Sequence, residues 1–529
     1  MLAAINVLAS RWKFAQAALL VLFGLLFVVT ESSSISDVYR MIQYDFDGEP
    51  YGSRRAALSQ HASLLSAVNH LTRAVVVIPL SDLDVDAVSD LLDNKTPIAG
   101  MVFVLPLDFD GGGYNLEPLR EVEQVLINQK INVPVYFAME NADLKQMVSD
   151  LKGMVAAGTP PSPTTGGYRL VVTSPEPAKL EPPTLENYQC WLPGTAVNPG
   201  SPEKVSLPTI AIVAYYDTLA AAPGMAVGAD ANGSGVAAIL ELARLFSRLY
   251  ADARTRGSYN LLFVLTSAGS LNYAGAEHWL ASMDARVLET IEFVLCLDSI
   301  GSWGKTGGLN LHISRPPKDT AIQQLYGEFK SVAEDLSVPF DVVHKKVNIS
   351  SPHVAWEHEQ FAKRRIVAAT LSARSAPASP LGLSSLADRG SDSTNATSVA
   401  TTVRLVGEAL VRHMYGHSGR SIEAFAEGSS RAVSLEFLQQ WLDVLGSTPR
   451  TVPYHLPVPP KSFRTSSATL SSARRLCASI RSLLASYATE VTAEPFRLDP
   501  GTGATQYTFY GETTAKLEVY KGPGAKATT

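Results

Sequence analysis

The chain has 529 residues, of which 46% are apolar, 18% charged and 8% aromatic. That apolar share suits a packed protein of about three domains and excludes wholesale disorder. Lys and Arg number 44 against 50 Asp and Glu, a net charge of −6. No basic excess is available to neutralise phosphates, so no nucleic acid partner is expected. Three cysteines, Cys190, Cys296 and Cys477, are too few for a disulfide framework or a cysteine-based zinc module.

Residues 14–29 (FAQAALLVLFGLLFVV) carry no charge and follow Arg11 and Lys13. A basic flank, an apolar run and the small polar stretch 30–34 make up the pattern of a secretory signal. The run falls short of the ~20 residues of a spanning helix. Residues 1–35 are therefore expected to be a cleaved signal peptide or a short signal anchor, with the bulk of the chain in the secretory lumen. Asn-x-Ser/Thr triplets stand at Asn94, Asn232, Asn348 and Asn395. Pro97 follows the first closely and makes it the poorest acceptor. Glycosylation is expected at Asn232, Asn348 and Asn395, the last lying in a Ser/Asp/Thr-rich stretch.

Residues 36–206 are predicted to form an α/β lobe followed by a Pro-rich linker (175–208). Its apolar runs 73–80, 100–107, 133–138 and 168–173 have strand length, and 119–129 and 142–155 have helical spacing. A second α/β series fills 207–419. Strands are predicted at 209–214, 259–265, 291–297, 309–313 and 366–371. Helices are predicted at 235–250, 273–282, 319–336 and 398–413. The expected fold is a doubly wound, mostly parallel sheet with helices on both faces. Sites in such sheets form at the carboxyl ends of strands, which points to Tyr215, Asp217, Asp230 and Asp298. Residues 420–529 are read as a helical region (434–445 and 471–487) with a Pro-rich hinge at 449–461 and a frayed tail from 501.

The segment 212–235 reads IVAYYDTLAAAPGMAVGADANGSG. A strand leads to Asp217, a second loop carries Asp230, and Gly233-Ser234-Gly235 opens a helix. Asp298 follows the apolar run FVLCL, and His358 lies in WEHEQF. Over residues 207–413 this resembles the M28 family of zinc aminopeptidases. The resemblance implies two metal ions bridged by one carboxylate and a separate Glu as general base. Position by position, it places Tyr215 where the family has its first His ligand and Asp217 where an Asp orients that His. It puts Asp230 at the bridging carboxylate, Gly269 at the base Glu, Ser270 at the ligand Glu, Asp298 at a third Asp and His358 at the last His. No acid occurs between Tyr259 and Ala276. A neutral phenol with a pKa of about 10 is a poor zinc ligand near neutral pH. Loss of the base removes a further ~10²–10⁴ in rate. The expectation is a pseudo-peptidase with no catalytic residue, no metal and no cofactor. The surviving Asp230, Asp298 and His358 are either structural partners in charged hydrogen bonds or the remnant of a ligand pocket.

A second resemblance is spread more widely. The stretches 38–45 (VYRMIQYD), 48–54 (GEPYGSR), 240–250 (LELARLFSRLY), 258–263 (SYNLLF), 293–298 (FVLCLD) and 354–365 (VAWEHEQFAKRR) are similar to the nicalin family, which is related to nicastrin. That resemblance implies a non-catalytic subunit of an endoplasmic reticulum membrane complex, with a link to Nodal signalling. Its implied partners are a large luminal protein of the Nodal modulator type, a small multi-pass membrane protein, and the translocon with its ribosome. The implied task is biogenesis of multi-pass membrane proteins. The family carries a transmembrane helix after the region that 507–521 resembles. Here Gly522 to Thr529 follow instead, so membrane attachment is expected through the amino-terminal segment. A zinc aminopeptidase with substituted ligands and a nicastrin-like substrate receptor of an intramembrane protease remain as alternatives.

Overall fold

The computed structural model describes residues 33–67, 72–93, 96–109, 113–159, 166–182, 184–195, 206–377, 384–416, 423–452, 467–488, 490–498, 507–511 and 514–522. The apolar run 14–29 and Asn94 lie outside the described residues. Among the described residues no helix is long and apolar enough to cross a membrane.

Runs of apolar residues buried on both strand faces need cover on both sides, and the first half of the chain supplies it around a barrel. Its strands are β1 (Ser33–Arg40), β2 (Gln43–Phe46), β3 (Glu49–Ser53), β4 (Leu58–Leu64), β5 (Val75–Pro79), β6 (Gly100–Leu105), β7 (Lys130–Ile131), β8 (Val135–Met139) and β9 (Tyr168–Val172). Successive side chains point to opposite faces of a strand. Val76, Ile78, Met101, Phe103 and Phe137 accordingly join one core, with Leu119 and Val122 of the helix Glu117–Ile127. Val75, Val77, Val102, Val104 and Tyr136 join another, with Leu144 and Leu151 of the helix Ala142–Ala156. Asn141 starts that second helix by accepting the Leu144 N–H at 2.8 Å, an N-cap that satisfies one otherwise orphan donor.

The second half builds a larger sheet from β10 (Thr184–Leu192), β11 (Thr209–Tyr215), β12 (Asn260–Thr266), β13 (Ile291–Asp298), β14 (Leu309–Ile313), β15 (Phe340–His344), β16 (Ala368–Ser372) and β17 (Glu490–Arg497). The order is β15-β14-β16-β13-β11-β12-β10-β17. The four central strands β16, β13, β11 and β12 run parallel. β14 and β15 are parallel to each other, β14 is antiparallel to β16, and β10 is antiparallel to both β12 and β17, so the sheet is mixed around a parallel centre. Helices cover both faces. Ile210 and Ile212 meet Val236, Ile239 and Phe246 of the helix Gly235–Ala251. The intervening Ala211 and Val213 meet the face carrying Trp279 and Phe361.

Three expectations about organisation are corrected. The Pro-rich stretch 175–208 is not only a connection, because β10 lies within it and pairs with β12. The helical reading of 420–529 misses β17, β18 (Tyr507–Phe509) and β19 (Thr514–Lys521). The expected frayed tail in part supplies the strand that closes the lobe: β19 lies between β1 and β9, antiparallel to both, in the closed barrel β1-β19-β9-β4-β5-β6-β8. Leu517 and Val519 enter the barrel's core. β18 completes the small sheet β18-β2-β3-β7. The carboxyl-terminal residues are therefore shared between the lobe and the large sheet.

A buried carboxylate stitches the lobe to the second half. Glu123 is fully buried on the helix Glu117–Ile127. It accepts the N–H of Ala221 at 3.1 Å, the N–H of Leu386 at 3.0 Å, and the Ser385 hydroxyl. Burial pushes its carboxyl up to about 7, against the lowering effect of those donors.

Candidate functional site

Parallel strands end on the same edge of a sheet, and four of them bring the candidate residues together. Tyr215 ends β11 opposite Thr266 of β12. Asp298 ends β13 opposite Ser372 of β16. Val213 of β11 stands opposite Cys296 of β13; two residues further on, the same face carries Tyr215 and Asp298. The Tyr215 hydroxyl donates to Asp298 Oδ1 at 2.9 Å. Burial and the neighbouring Asp298 carboxylate push the phenol's pKa well up, so it acts as a proton donor.

Gly269 and Ser270 follow β12. Asp217 holds both: its Oδ1 accepts the Gly269 N–H at 2.7 Å, and its Oδ2 accepts the Ser270 N–H at 3.1 Å and the Ser270 hydroxyl. Burial raises the Asp217 carboxyl, opposed by these donors. The turn is drawn tightly onto β11. A Cβ placed on Gly269 would lie 2.1 Å from Cγ and 2.2 Å from Cβ of Tyr215, far inside van der Waals contact. The position of the expected base thus has no side chain and no room for one.

Asp230 precedes the helix Gly235–Ala251. Its Oδ1 accepts the Gly301 N–H at 2.7 Å. Burial, reinforced by the Asp388 carboxylate, raises its pKa. Asp388 itself accepts the N–H groups of Asp230 (2.9 Å) and Ala231 (2.8 Å). His358 lies on the helix Glu357–Lys363, and its Nδ1 shares a 2.8 Å hydrogen bond with Thr370 Oγ1 of β16. Burial, followed by His312, lowers it to about 3, which leaves a neutral imidazole.

Four residues at this edge escape sequence reasoning. Arg374, just past β16, gives its guanidinium to Asp298 Oδ2. Its carbonyl meets His312 Nε2 at 2.8 Å, and its guanidinium lies 5.2 Å from the Trp356 ring centre. Arg450 is fully buried and donates to the Gly228 carbonyl at 2.7 Å. Its backbone joins Thr218 and Ala226, which ties the loop after β11 to the carboxyl-terminal third of the chain. Asp388 is the third. The fourth is Glu357, an acid that does reach the end of β12: Thr266 Oγ1 donates to its Oε1 at 2.6 Å. Burial holds Glu357 at about 8, protonated at neutral pH. No local motif marks Arg374, Asp388 or Arg450, although Arg374 stands just beyond a strand end; Glu357 stands beside His358 in WEHEQF, where its reach to Thr266 could not be read.

The donor set does not fit a pair of zinc ions. A metal needs lone pairs, and the groups aimed at Asp298 are hydroxyls and a guanidinium, which present protons. Among the described residues no three His, Cys, Asp or Glu side chains are arranged to hold a metal. The sequon at Asn232 is also corrected. Asn232 is fully buried; its Nδ2 donates to the Leu297 carbonyl at 2.7 Å, and its Oδ1 accepts the Gly235 N–H at 3.1 Å. A glycan has no access to that amide. Asn348 and Asn395 are exposed, and Asn395 caps the helix Ala396–Tyr415 by accepting the Thr397 N–H.

Comparison with known proteins places the fold and the family. Residues 197–378 match the model of Peptidase family M28. The zebrafish (Danio rerio) protein named BOS complex subunit ncln is 33% identical over 481 residues, covering 84% of this chain and 82% of its own. The Caenorhabditis elegans protein named nicalin is 28% identical over 468 residues, covering 80% and 79%. Among solved structures, the gamma-secretase component nicastrin superposes with a TM-score of 0.62 at 12% identity, over 92% of this chain and 99% of its own, which shows a shared fold. The chain belongs to the nicalin family, whose vertebrate members carry the name BOS complex subunit NCLN.

Proposed function

We propose that this chain is a non-catalytic subunit of a BOS-type complex of the endoplasmic reticulum membrane, with its bulk in the lumen. In this reading it works with the translocon and its ribosome in the biogenesis of multi-pass membrane proteins. Its partners are a luminal protein of the Nodal modulator type and a small multi-pass membrane protein, and residues 14–29 attach it to the membrane. The observation that carries the reading is the closure of the Gly269 turn onto Tyr215. Hydrolysis in the M28 manner needs a base at that position and lone pairs from its neighbours. The turn leaves no room for the first. The hydroxyl of Tyr215 and the guanidinium of Arg374 replace the second with proton donors. A rigid two-part fold without chemistry can still serve as a platform for other proteins.

Purification of the tagged full-length chain from membranes in mild detergent tests this. The expected result is recovery of the two partners and of translocon components, with no release of amino-terminal residues from peptides whether or not zinc is added. Recovery with an intramembrane protease instead, or chelator-sensitive release of amino acids, overturns the reading. The same preparation tests the glycosylation sites. Asn348→Gln and Asn395→Gln are each expected to remove one endoglycosidase-sensitive step in gel mobility, and Asn232→Gln to remove none. A mobility step lost with Asn232→Gln contradicts the buried placement of that amide.

A further inference from the structure

The acids at this strand edge resemble those of a metal centre, yet the charge they face comes from the chain itself. We infer that Arg374 is a built-in replacement for a metal ion: its guanidinium supplies the positive charge that balances the buried Asp298, and it makes the strand edge independent of metal. The inference rests on the non-catalytic reading and deepens it.

The placement is set by the sheet. β13 and β16 are parallel neighbours, with Asp298 opposite Ser372, so a residue just beyond Ser372 overhangs the Asp298 carboxylate. Arg374 is held in that overhang at several points. Its N–H is held by Ser372 Oγ at 3.1 Å and its carbonyl by His312 Nε2 at 2.8 Å. The guanidinium plane has Trp356 on one side at 5.2 Å, and Trp356 is itself stacked on His312 at 4.2 Å. A cation over an indole face is favoured by the ring quadrupole.

The carboxylate has its donors in place. Oδ1 accepts from the Tyr215 hydroxyl at 2.9 Å and from Ser299 Oγ at 3.1 Å, while Oδ2 accepts from Arg374. Asp298 is 1% exposed and the Arg374 side chain 21%, so the acid is sealed and its cation is mostly buried with it. An ionised carboxylate so buried is costly unless paired and hydrogen-bonded. In a metal centre the ion provides that compensation; here Arg374 does, and its fixed charge repels any arriving dication. The exchange of lone-pair donors for proton donors therefore has an electrostatic purpose that the loss of a base alone would not require.

The test is a double-mutant cycle on the full-length chain, read by urea unfolding with and without zinc or EDTA, together with bound metal measured by elemental analysis. The wild-type chain is expected to hold no stoichiometric zinc and to unfold identically in both additions. R374M leaves Asp298 uncompensated, and the unfolding constant should rise on the order of 10²-fold. R374K, which keeps the charge, should lose less. With D298N completing the cycle, D298N/R374M removes both charges and should recover most of the loss. Stoichiometric zinc in the wild-type chain, a neutral R374M, or losses that simply add in the double variant each overturn the inference. The cycle is read on unfolding and metal content. A neutral R374M in a chain without peptide turnover therefore defeats this inference alone, whereas turnover defeats the functional reading itself.

Discussion

Restoring the absent acid by Gly269→Glu is expected to destabilise the protein by about 3 kcal/mol or more, with no gain of activity. The reason lies in the backbone rather than in the carboxylate. Any side chain at 269 begins with a Cβ, and that atom would stand 2.1 Å from Cγ of Tyr215. The ring cannot swing aside: it is fully buried, hydrogen-bonded to Asp298, and packed edge-on to Tyr273 at 5.7 Å. Gly269→Ala should therefore cost nearly as much as Gly269→Glu. Tyr215→His should not rescue either variant, because the Cβ of residue 215 would itself lie 2.2 Å away. Thermal and urea unfolding of the single and double variants measure this. A Tyr215→His/Gly269→Glu protein as stable as Tyr215→His alone would show that the turn opens freely and would defeat the argument.

The second large effect is expected at Glu123, in the seam between lobe and sheet. Glu123→Ala strands the N–H groups of Ala221 and Leu386, which its carboxylate accepts, and leaves the Ser385 hydroxyl without that acceptor. A buried unsatisfied donor costs about 1–3 kcal/mol, so a total of about 3–5 kcal/mol is expected. The same carboxyl gives a pH signature. Burial raises it from 4.5 to about 7, so the folded chain holds this proton more tightly than the unfolded one. Its contribution to stability is fully present below about pH 4.5 and is lost as pH rises through 7, a change on the order of 3 kcal/mol. Glu123→Gln keeps the size and one acceptor but does not titrate. Urea unfolding at several pH values between 4.5 and 8 should show the wild-type chain declining relative to Glu123→Gln. Parallel curves for the two proteins would refute the assignment.

The parts of the fold legible in the sequence are those where composition and period agree. β5, β6, β11, β13 and β14 are apolar runs of strand length, and the helices Gly235–Ala251 and Ala396–Tyr415 keep a helical stripe, so their positions come within a few residues of expectation. β4 (LSQHASL) and β1 (SSISDVYR) escape because their outward residues are polar and their apolar positions few. β10 and β19 fail differently. Both alternate buried and less buried residues along the strand, the proper signal for one face turned to a core. Prolines around the first and the Gly/Thr/Lys-rich surroundings of the second outweigh that alternation. At the site, Tyr215, Asp217, Gly269, Ser270 and Asp298 are legible because each stands at or just past a strand end. His358 bonds Thr370, and Asp230 bonds Gly301, Ser302 and Ser234 and, through its N–H, Asp388. Arg374, Asp388 and Arg450 reach the same edge from distant sequence, which no local pattern reveals.

The place of β19 sets an order of events during synthesis. Ser33 of β1 pairs with Tyr520, so ~490 residues separate partners that must meet before the barrel closes. At about 5–20 residues per second, the ribosome needs roughly 25 to 100 s to deliver the last strand after the first has emerged. Until it arrives, β1 and, once made, β9 each keep one edge open, ready to pair with other chains. A chain released before Thr514–Lys521 is made therefore keeps those edges open, and a ribosome that stalls late is expected to leave an aggregation-prone product.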